Sequence, residues 1–230
     1  MMIFKSLVDI LRQKNLLEPA VRATSESLEL ARQLTQETTD NLFTGRELSI
    51  DVYETDKRIN RAEIEVRRMV FQHLVANGAD HLVTSTILLT TISDVERIGD
   101  YAKNLHQQSA RLKNPWPEGP VFDRIVALRD ELMPLFDDTM KSVDQGDTEL
   151  ASSVMQRQAA FSTNCEDVVD ALCAMENART CEAIVATLAT RYMKRIAAHL
   201  KNLASSIVNP VDRIGYRPEP KAEAEVKDEA

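Results

Sequence analysis

Acidic side chains at helical spacing are the residues of this sequence best placed to do chemistry. Glu96 and Asp100 lie four residues apart, so on a helix their carboxylates project from one face. Asp56 and Glu63 lie two turns apart on an earlier segment, and both pairs flank an apolar stripe. Carboxylates crowded where helices meet repel one another and lose hydration. The pattern predicts that a cation, a bonded partner or an open solvated edge offsets this cost.

The type of donor indicates which cation such a site would hold. Hard oxygen ligands suit magnesium, calcium, manganese or iron. The alternative is an exposed edge on which Arg97 and Lys103 are the local partners, and spacing alone favours this alternative. Gly99 favours a built site, because a glycine inside a helix costs up to about 1 kcal/mol relative to alanine and usually permits close approach of a neighbour.

The elements that position these residues are predicted to be helices throughout. Apolar residues recur at intervals of three and four, and no segment alternates strictly for more than a few positions, which indicates an all-α protein. Asp51 and Asp147 are typical of helix starts. Helices are expected at about 17–43, 49–76, 80–112, 121–144, 148–177 and 179–208.

A proline-rich stretch at residues 113–120 divides these helices into two sets of three. Long helices joined by short turns pack as antiparallel bundles, which predicts two three-helix bundles in tandem at residues 15–114 and 120–209. A short amphipathic helix is expected at residues 1–14 and a disordered tail at residues 210–230.

The amphipathic N-terminal segment has two interpretations. Its apolar stripe packs on the bundle in the favoured interpretation. In the alternative, Phe4, Leu7 and Leu11 dock on a membrane or a partner.

Charge and composition exclude several classes of protein. The chain has 230 residues with 28 basic and 36 acidic side chains, a net charge of −8 without a basic block, which argues against nucleic-acid binding. No apolar run approaches the length of a membrane span, and the start does not resemble an export signal, so a cytoplasmic protein with reduced thiols is expected. Cys165, Cys173 and Cys181 are too far apart on one helix to share a metal, and buried structural thiols are the favoured interpretation.

Sequence patterns of known catalytic sites are lacking. There is no glycine-rich phosphate loop, no nucleophile elbow, and no histidine preceded at three positions by glutamate, as a di-iron bundle needs. The sequence therefore predicts that this protein is not an enzyme.

An internal repeat relates the two halves. Residues 52–60 align with 154–162 at an offset of 102, and residues 96–105 align with 194–203 at an offset of 98. The apolar frame is kept, whereas three acidic positions change: Asp56 becomes Gln158, Glu96 becomes Lys194 and Asp100 becomes Ala198.

The segment Val52–Asn60, together with Asp94–Asn104 and its Glu-Arg-Ile-Gly-Asp core, resembles the first repeat of the PhoU family of phosphate-transport accessory and regulatory proteins. The resemblance spans about residues 15–208. It implies two similar three-helix bundles. It also implies a regulator of phosphate uptake or phosphate signalling that contacts a transporter or a sensor kinase, placed in the cytoplasm or at the inner face of the membrane.

The resemblance implies a metal site as well, since Glu-x3-Asp motifs bind metal clusters in this family. By this resemblance Glu96 and Asp100 are ligands, and Asp56 and Asn60 assist them. Because the second repeat lacks these carboxylates, a metal ion (iron, manganese or magnesium) is expected at the first repeat only.

The last predicted helix is basic, with Arg191, Lys194 and Arg195 on it. A solvated face is the favoured interpretation, and the alternatives are a surface for an anion or acidic partner, or Lys194 acting in place of a cation. For the whole protein, a metal-dependent enzyme, a metal-free helical adaptor and a homo-oligomer also stay open.

Overall fold

The protein is described here from a computed structural model that covers residues 17–79, 81–112, 114–176 and 179–216. Its helices are α1 (Glu18–Thr44), α2 (Val52–Asn77), α3 (Leu82–Ser109), α4 (Pro120–Gln145), α5 (Thr148–Cys173) and α6 (Thr180–Val208), followed by a 3-10 turn at Val211–Arg213. These ranges contain no strand. The all-α prediction is confirmed, and each helix begins and ends within a few residues of its expected position.

Short side chains and glycines set the helix ends. Asp51 Oδ1 accepts a hydrogen bond from the backbone N–H of Glu54 at 2.9 Å, which caps α2. Asp147 caps α5 in the same way. Gly45 and Gly146 adopt left-handed conformations with φ of 72° and 64°, which lets α1 and α4 end in tight turns.

The helices pack as two tandem three-helix bundles, as predicted. Helices α1, α2 and α3 contact one another in the first bundle, and α4, α5 and α6 form the second. Helix α3 also packs against α6, and α1 touches α4, so all six helices contribute to one continuous apolar core. Burial of these stripes against one another is the main stabilising contribution to such a fold.

A polar contact lies in the seam between the bundles. The buried carboxylate of Asp94 on α3 lies 2.7 Å from His199 Nδ1 and accepts a hydrogen bond from Asn202 Nδ2 at 3.0 Å, both on α6. The His199 ring stacks on Tyr101 with centroids 5.8 Å apart. These contacts add directional pairing to an otherwise apolar seam.

The segment predicted as a tail has a structured start. The side-chain amide of Asn209 donates to the carbonyls of Arg213 and Tyr216 at 3.0 and 2.8 Å, and the N–H of Gly215 donates to Ser205 Oγ at 2.7 Å. The rest of that segment, and the amphipathic segment 1–14, lie outside the described residues. Within the described ranges, no helix has the length and hydrophobicity needed to cross a bilayer.

Candidate functional site

Two of the predicted ligands meet between α2 and α3 of the first bundle, and a lysine joins them. Asp56, which is only 6% exposed, projects from α2, and Asp100 projects from α3. The ammonium of Lys103 donates to Asp56 Oδ2 and to Asp100 Oδ1, each at 2.8 Å. The first repeat therefore brings a carboxylate from each helix onto one positive charge.

The environment keeps that positive charge in place. Burial lowers the pKa of Lys103, but hydrogen bonds and charge attraction from Asp100 and Asp56 outweigh burial, and the pKa is raised above its usual value. Lys103 is therefore charged at neutral pH and partly neutralises the two carboxylates.

Two acceptor oxygens beside this bridge lack a donor. Asp56 Oδ1 and Asn60 Oδ1, one turn apart on α2, are both buried and have no hydrogen-bond partner among the described residues. Buried acceptors are nearly always satisfied in folded proteins, because an unsatisfied one costs free energy. A cation or a water molecule is the kind of group that would satisfy these two oxygens.

Glu96 completes the acidic cluster without joining the bridge. Its pKa is raised, first by burial and then by the negative charges of Asp100 and Glu63, while Arg97 opposes the shift. The Arg97 Nε atom lies 3.6 Å from Glu96 Oε2, and Arg67 pairs with Glu63 at 2.8 Å. The crowding that the sequence predicts is present, and it raises the free energy of the ionised carboxylate.

The oxygen donors of Asp56, Asn60, Glu96 and Asp100 are of the type that a hard cation prefers, but they are not arranged as a metal site in this structure. All the donors are oxygens, and two of them are unsatisfied. However, in the part of the chain that the structure describes, no three His, Cys, Asp or Glu side chains converge as a metal-ligand set. Lys103 and Arg97 are the partners of the acidic residues, as the alternative interpretation expected, so a metal could enter only if Lys103 moved away.

Gly99 lies at a close approach between α2 and α3. A Cβ atom built on Gly99 would lie 3.0 Å from Cδ1 of Ile59, a fully buried residue of α2. This contact is closer than side chains normally tolerate, so the glycine permits the close approach that its position predicts.

The second repeat places a lysine where the first has a carboxylate. Lys194, at the position of Glu96, pairs with Glu166 of α5, whose side chain is 70% exposed. This pair borders an open groove of about 460 Å³ between α5 and α6. Burial raises the pKa of the Cys165 thiol in that groove to about 12, against the opposing effect of Lys194.

One expectation about the second repeat needs revision. Cys165 is buried as expected, but Cys173 and Cys181 are exposed, so the interpretation of all three as buried thiols is wrong. The basic residues of α6 also differ from one another: Arg191 and Arg195 are exposed, whereas Lys194 is mostly covered. Phe4, Leu7 and Leu11 lie outside the described residues.

Sequence reasoning missed one surface, the end of the α2–α3 hairpin, where several apolar side chains are exposed. The sequence contained a signal for an unusual surface here, because residues 66–93 hold one acidic residue, Asp80, in a chain that is acidic overall.

Comparisons with known proteins match the chain over both repeats. The PhoU domain family matches residues 24–108 and 129–207, one range mainly in each bundle. The "Phosphate-specific transport system accessory protein PhoU homolog" of Synechocystis sp. is 24% identical over 215 residues, which cover 86% of this chain and 84% of that protein.

Solved structures share the fold. PhoU from Pseudomonas aeruginosa superposes with a TM-score of 0.78 at 20% identity and covers 86% of this chain and 97% of its own. The phosphate transport system regulatory protein PhoU from Streptococcus pneumoniae gives a TM-score of 0.75 at 13% identity, over 84% and 93% of the two chains. Because the family match covers most of both bundles, this chain belongs to the PhoU family.

Proposed function

We propose that this protein regulates phosphate uptake or phosphate signalling from the cytoplasmic side, through contacts with a transporter or a sensor kinase at the membrane. The observation that carries the proposal is the family match in both repeats. The Synechocystis relative is named as an accessory protein of a phosphate-specific transport system. The proposed action is binding and release of a protein partner, with no catalytic step.

The basic face of α6 is the proposed contact for an acidic region of that partner. Arg191 and Arg195 are exposed there, while Glu166 holds the Lys194 ammonium at the edge of the groove. Exposed guanidinium groups on an acidic protein attract acidic partners locally, and they form bidentate hydrogen bonds with carboxylates. In this proposal Arg191 and Arg195 contact the partner, and Lys194 holds α5 and α6 together through its ion pair with Glu166.

Phosphate uptake in a bacterial strain deleted for its own PhoU tests this proposal. Expression of the wild-type protein is expected to restore restrained uptake, and the double variant Arg191→Glu/Arg195→Glu is expected to restore it poorly. Arg124→Glu, at an exposed position of α4, is the matched control and should behave like wild type. Failure of the wild-type protein to change uptake would contradict the regulator, and full activity of the double variant would contradict this surface.

The N-terminal segment is a second proposed contact. The described fold begins at Leu17, which is fully buried, and each bundle has its own apolar stripes. Removal of residues 1–14 should therefore leave thermal unfolding almost unchanged while co-purification with a phosphate transporter weakens. A truncated protein that unfolds would show instead that the segment belongs to the core.

A cation site in the first repeat stays a prediction, and it requires that Lys103 leave its bridging position. Asp56, Asn60, Glu96 and Asp100 would hold an iron, manganese or magnesium ion once Lys103 leaves the bridge. The two unsatisfied oxygens of Asp56 and Asn60 support the proposal. A bound ion would supply the positive charge that Lys103 supplies in the described arrangement.

A metal-free helical adaptor is the rival that one observation favours. Lys103 already bridges Asp56 and Asp100 at 2.8 Å, so the first repeat has a cation of its own. Metal content of the purified protein separates the two, because the adaptor predicts none at either repeat.

A further inference from the structure

Large apolar side chains are exposed together at the end of the α2–α3 hairpin. Val75 is 88% exposed and Phe71 58% exposed near the end of α2, and Leu82 and Val83 are also exposed at the start of α3. We call these four residues the apolar hairpin end. A cluster of exposed apolar residues on both arms of a turn marks an interaction surface, whereas single exposed residues do not.

Charge around the apolar hairpin end differs from the rest of this acidic chain. Between residues 66 and 93 the basic residues Arg67 and Arg68 are both exposed, and Asp80, which lies outside the described residues, is the one acidic residue. Arg67 is already paired with Glu63 at 2.8 Å, so Arg68 is the arginine that offers its charge to a partner. The equivalent stretch of the second repeat, residues 168–191, carries three acidic residues. A negatively charged partner therefore meets the least repulsion at the first hairpin.

The order of charge and apolarity along α2 matches a lipid interface. Arg68 precedes Val75 by seven residues, which is about 10 Å along a helix. Interfacial elements bury their apolar side chains about 5–10 Å into the boundary between head groups and acyl chains. With Phe71 and Val75 at that boundary, Arg68 lies at the level of the phosphates.

Other occupants complement this surface less well. Two copies of the chain meeting through it would bring two pairs of arginines face to face. The C-terminal residues 217–230 are acidic but have few apolar side chains to cover Phe71 and Val75. Residues 1–16 are apolar, but Lys5, Arg12 and Lys14 give them the same sign of charge as the surface.

We propose that the apolar hairpin end docks on an anionic lipid bilayer, with Phe71 and Val75 inserted and Arg68 on the lipid phosphates. The proposal goes beyond the regulator function, because it needs no transporter. It would attach the protein to the membrane surface through this end of the α2–α3 hairpin.

Sedimentation of the full-length protein with lipid vesicles tests this proposal. Vesicles of phosphatidylcholine mixed with phosphatidylglycerol should bind the wild type, and phosphatidylcholine alone should bind it less. Phe71→Ser/Val75→Ser should weaken binding at least about tenfold, because two large apolar side chains no longer insert. Arg68→Gln should weaken it about fivefold. The control Ile184→Ser, at a 51% exposed residue of α6, should bind like wild type.

Thermal unfolding of each variant checks that the fold is intact, as expected for exposed positions. Wild type that fails to bind anionic vesicles, or binding that survives Phe71→Ser/Val75→Ser, would overturn the proposal. Loss of a membrane-protein partner in that variant without any vesicle binding by wild type would also overturn it, and would assign the surface to a protein. The uptake assay is independent of these results, so failure of docking and failure of the regulator function are distinguishable.

Discussion

The two repeats use a lysine in different ways on the same apolar frame. In the first, Lys103 bridges Asp56 and Asp100 on two different helices, and all three side chains are largely covered. In the second, Lys194 takes the position of a carboxylate and pairs with the exposed Glu166. Because both bundles fold alike, the polar positions are free to diverge while the buried apolar positions set the architecture. A cation site is therefore expected at one repeat only.

Substitution of Lys103 and of Lys194 should give the largest difference in stability between the two repeats. Lys103→Met leaves the buried Asp56 carboxylate without its cation, so the free energy of unfolding in chelator should fall by about 2–3 kcal/mol. Lys194→Met should change stability little, because water solvates Glu166. Denaturant unfolding measures both, and equal losses would show that the two lysines are equivalent.

Adding a methyl group at Gly99, or removing one at the equivalent Ala197, should have a smaller effect on stability. Gly99→Ala places a Cβ 3.0 Å from Ile59 Cδ1, and the overpacking should lower stability by about 1–2 kcal/mol even though alanine favours the helix. The second repeat has Ala197 at this position, fully buried, and Ala197→Gly should also destabilise, there through lost packing and helix propensity.

Chemical unfolding of both variants, with metal and with chelator, measures these effects. If Gly99→Ala were more stable than wild type in chelator and kept its metal affinity, the close approach at Gly99 would have no functional role.

The smallest expected effect is a difference in pH dependence between Glu96 and Glu166. Burial and negative neighbours raise the pKa of Glu96, so the folded state binds the proton more tightly than the unfolded state. Glu96 then disfavours folding increasingly as the pH rises through its raised pKa. Glu96→Gln should therefore stabilise the protein at neutral pH, by less than about 1 kcal/mol, and the gain should vanish below about pH 4.

Glu166→Gln should show the opposite sign. Its hydrogen bond and charge attraction to Lys194 lower the pKa of Glu166, so this carboxylate favours folding above its ordinary pKa and loses that effect as the pH falls. Stability measured across acidic to neutral pH tests both signs. The same slope for the two variants would contradict the contrast between the repeats.

Periodicity was enough to predict the helices and their pairing into two bundles, because every helix buries a stripe spaced by three and four residues. The close approach at Gly99 was also predictable, since glycine inside a long helix requires a local reason. The reach of Lys103 to Asp56 was not, because it depends on how α2 and α3 are shifted along each other, which no local pattern contains.

The cysteines show a second limit of sequence reasoning. A spacing of eight residues rotates about 80° around a helix at each step, so evenly spaced thiols do not share a face. Cys181 also lies on the next helix, beyond the turn that follows Cys173. Burial of Cys165 alone follows from its place on the inward stripe of α5.

Anomalous scattering from crystals of the protein loaded with manganese or iron can show whether the first repeat alone holds a metal ion. We expect a peak beside Asp56, Asn60, Glu96 and Asp100, with Lys103 displaced, and none beside Lys194. Glu96→Ala or Asp100→Ala should abolish the peak, and Lys194→Ala should leave it unchanged. Equal metal occupancy in both repeats would show that the site is not confined to the first repeat. The lack of a peak in the first repeat of both wild type and Lys103→Met would show that this repeat holds no metal.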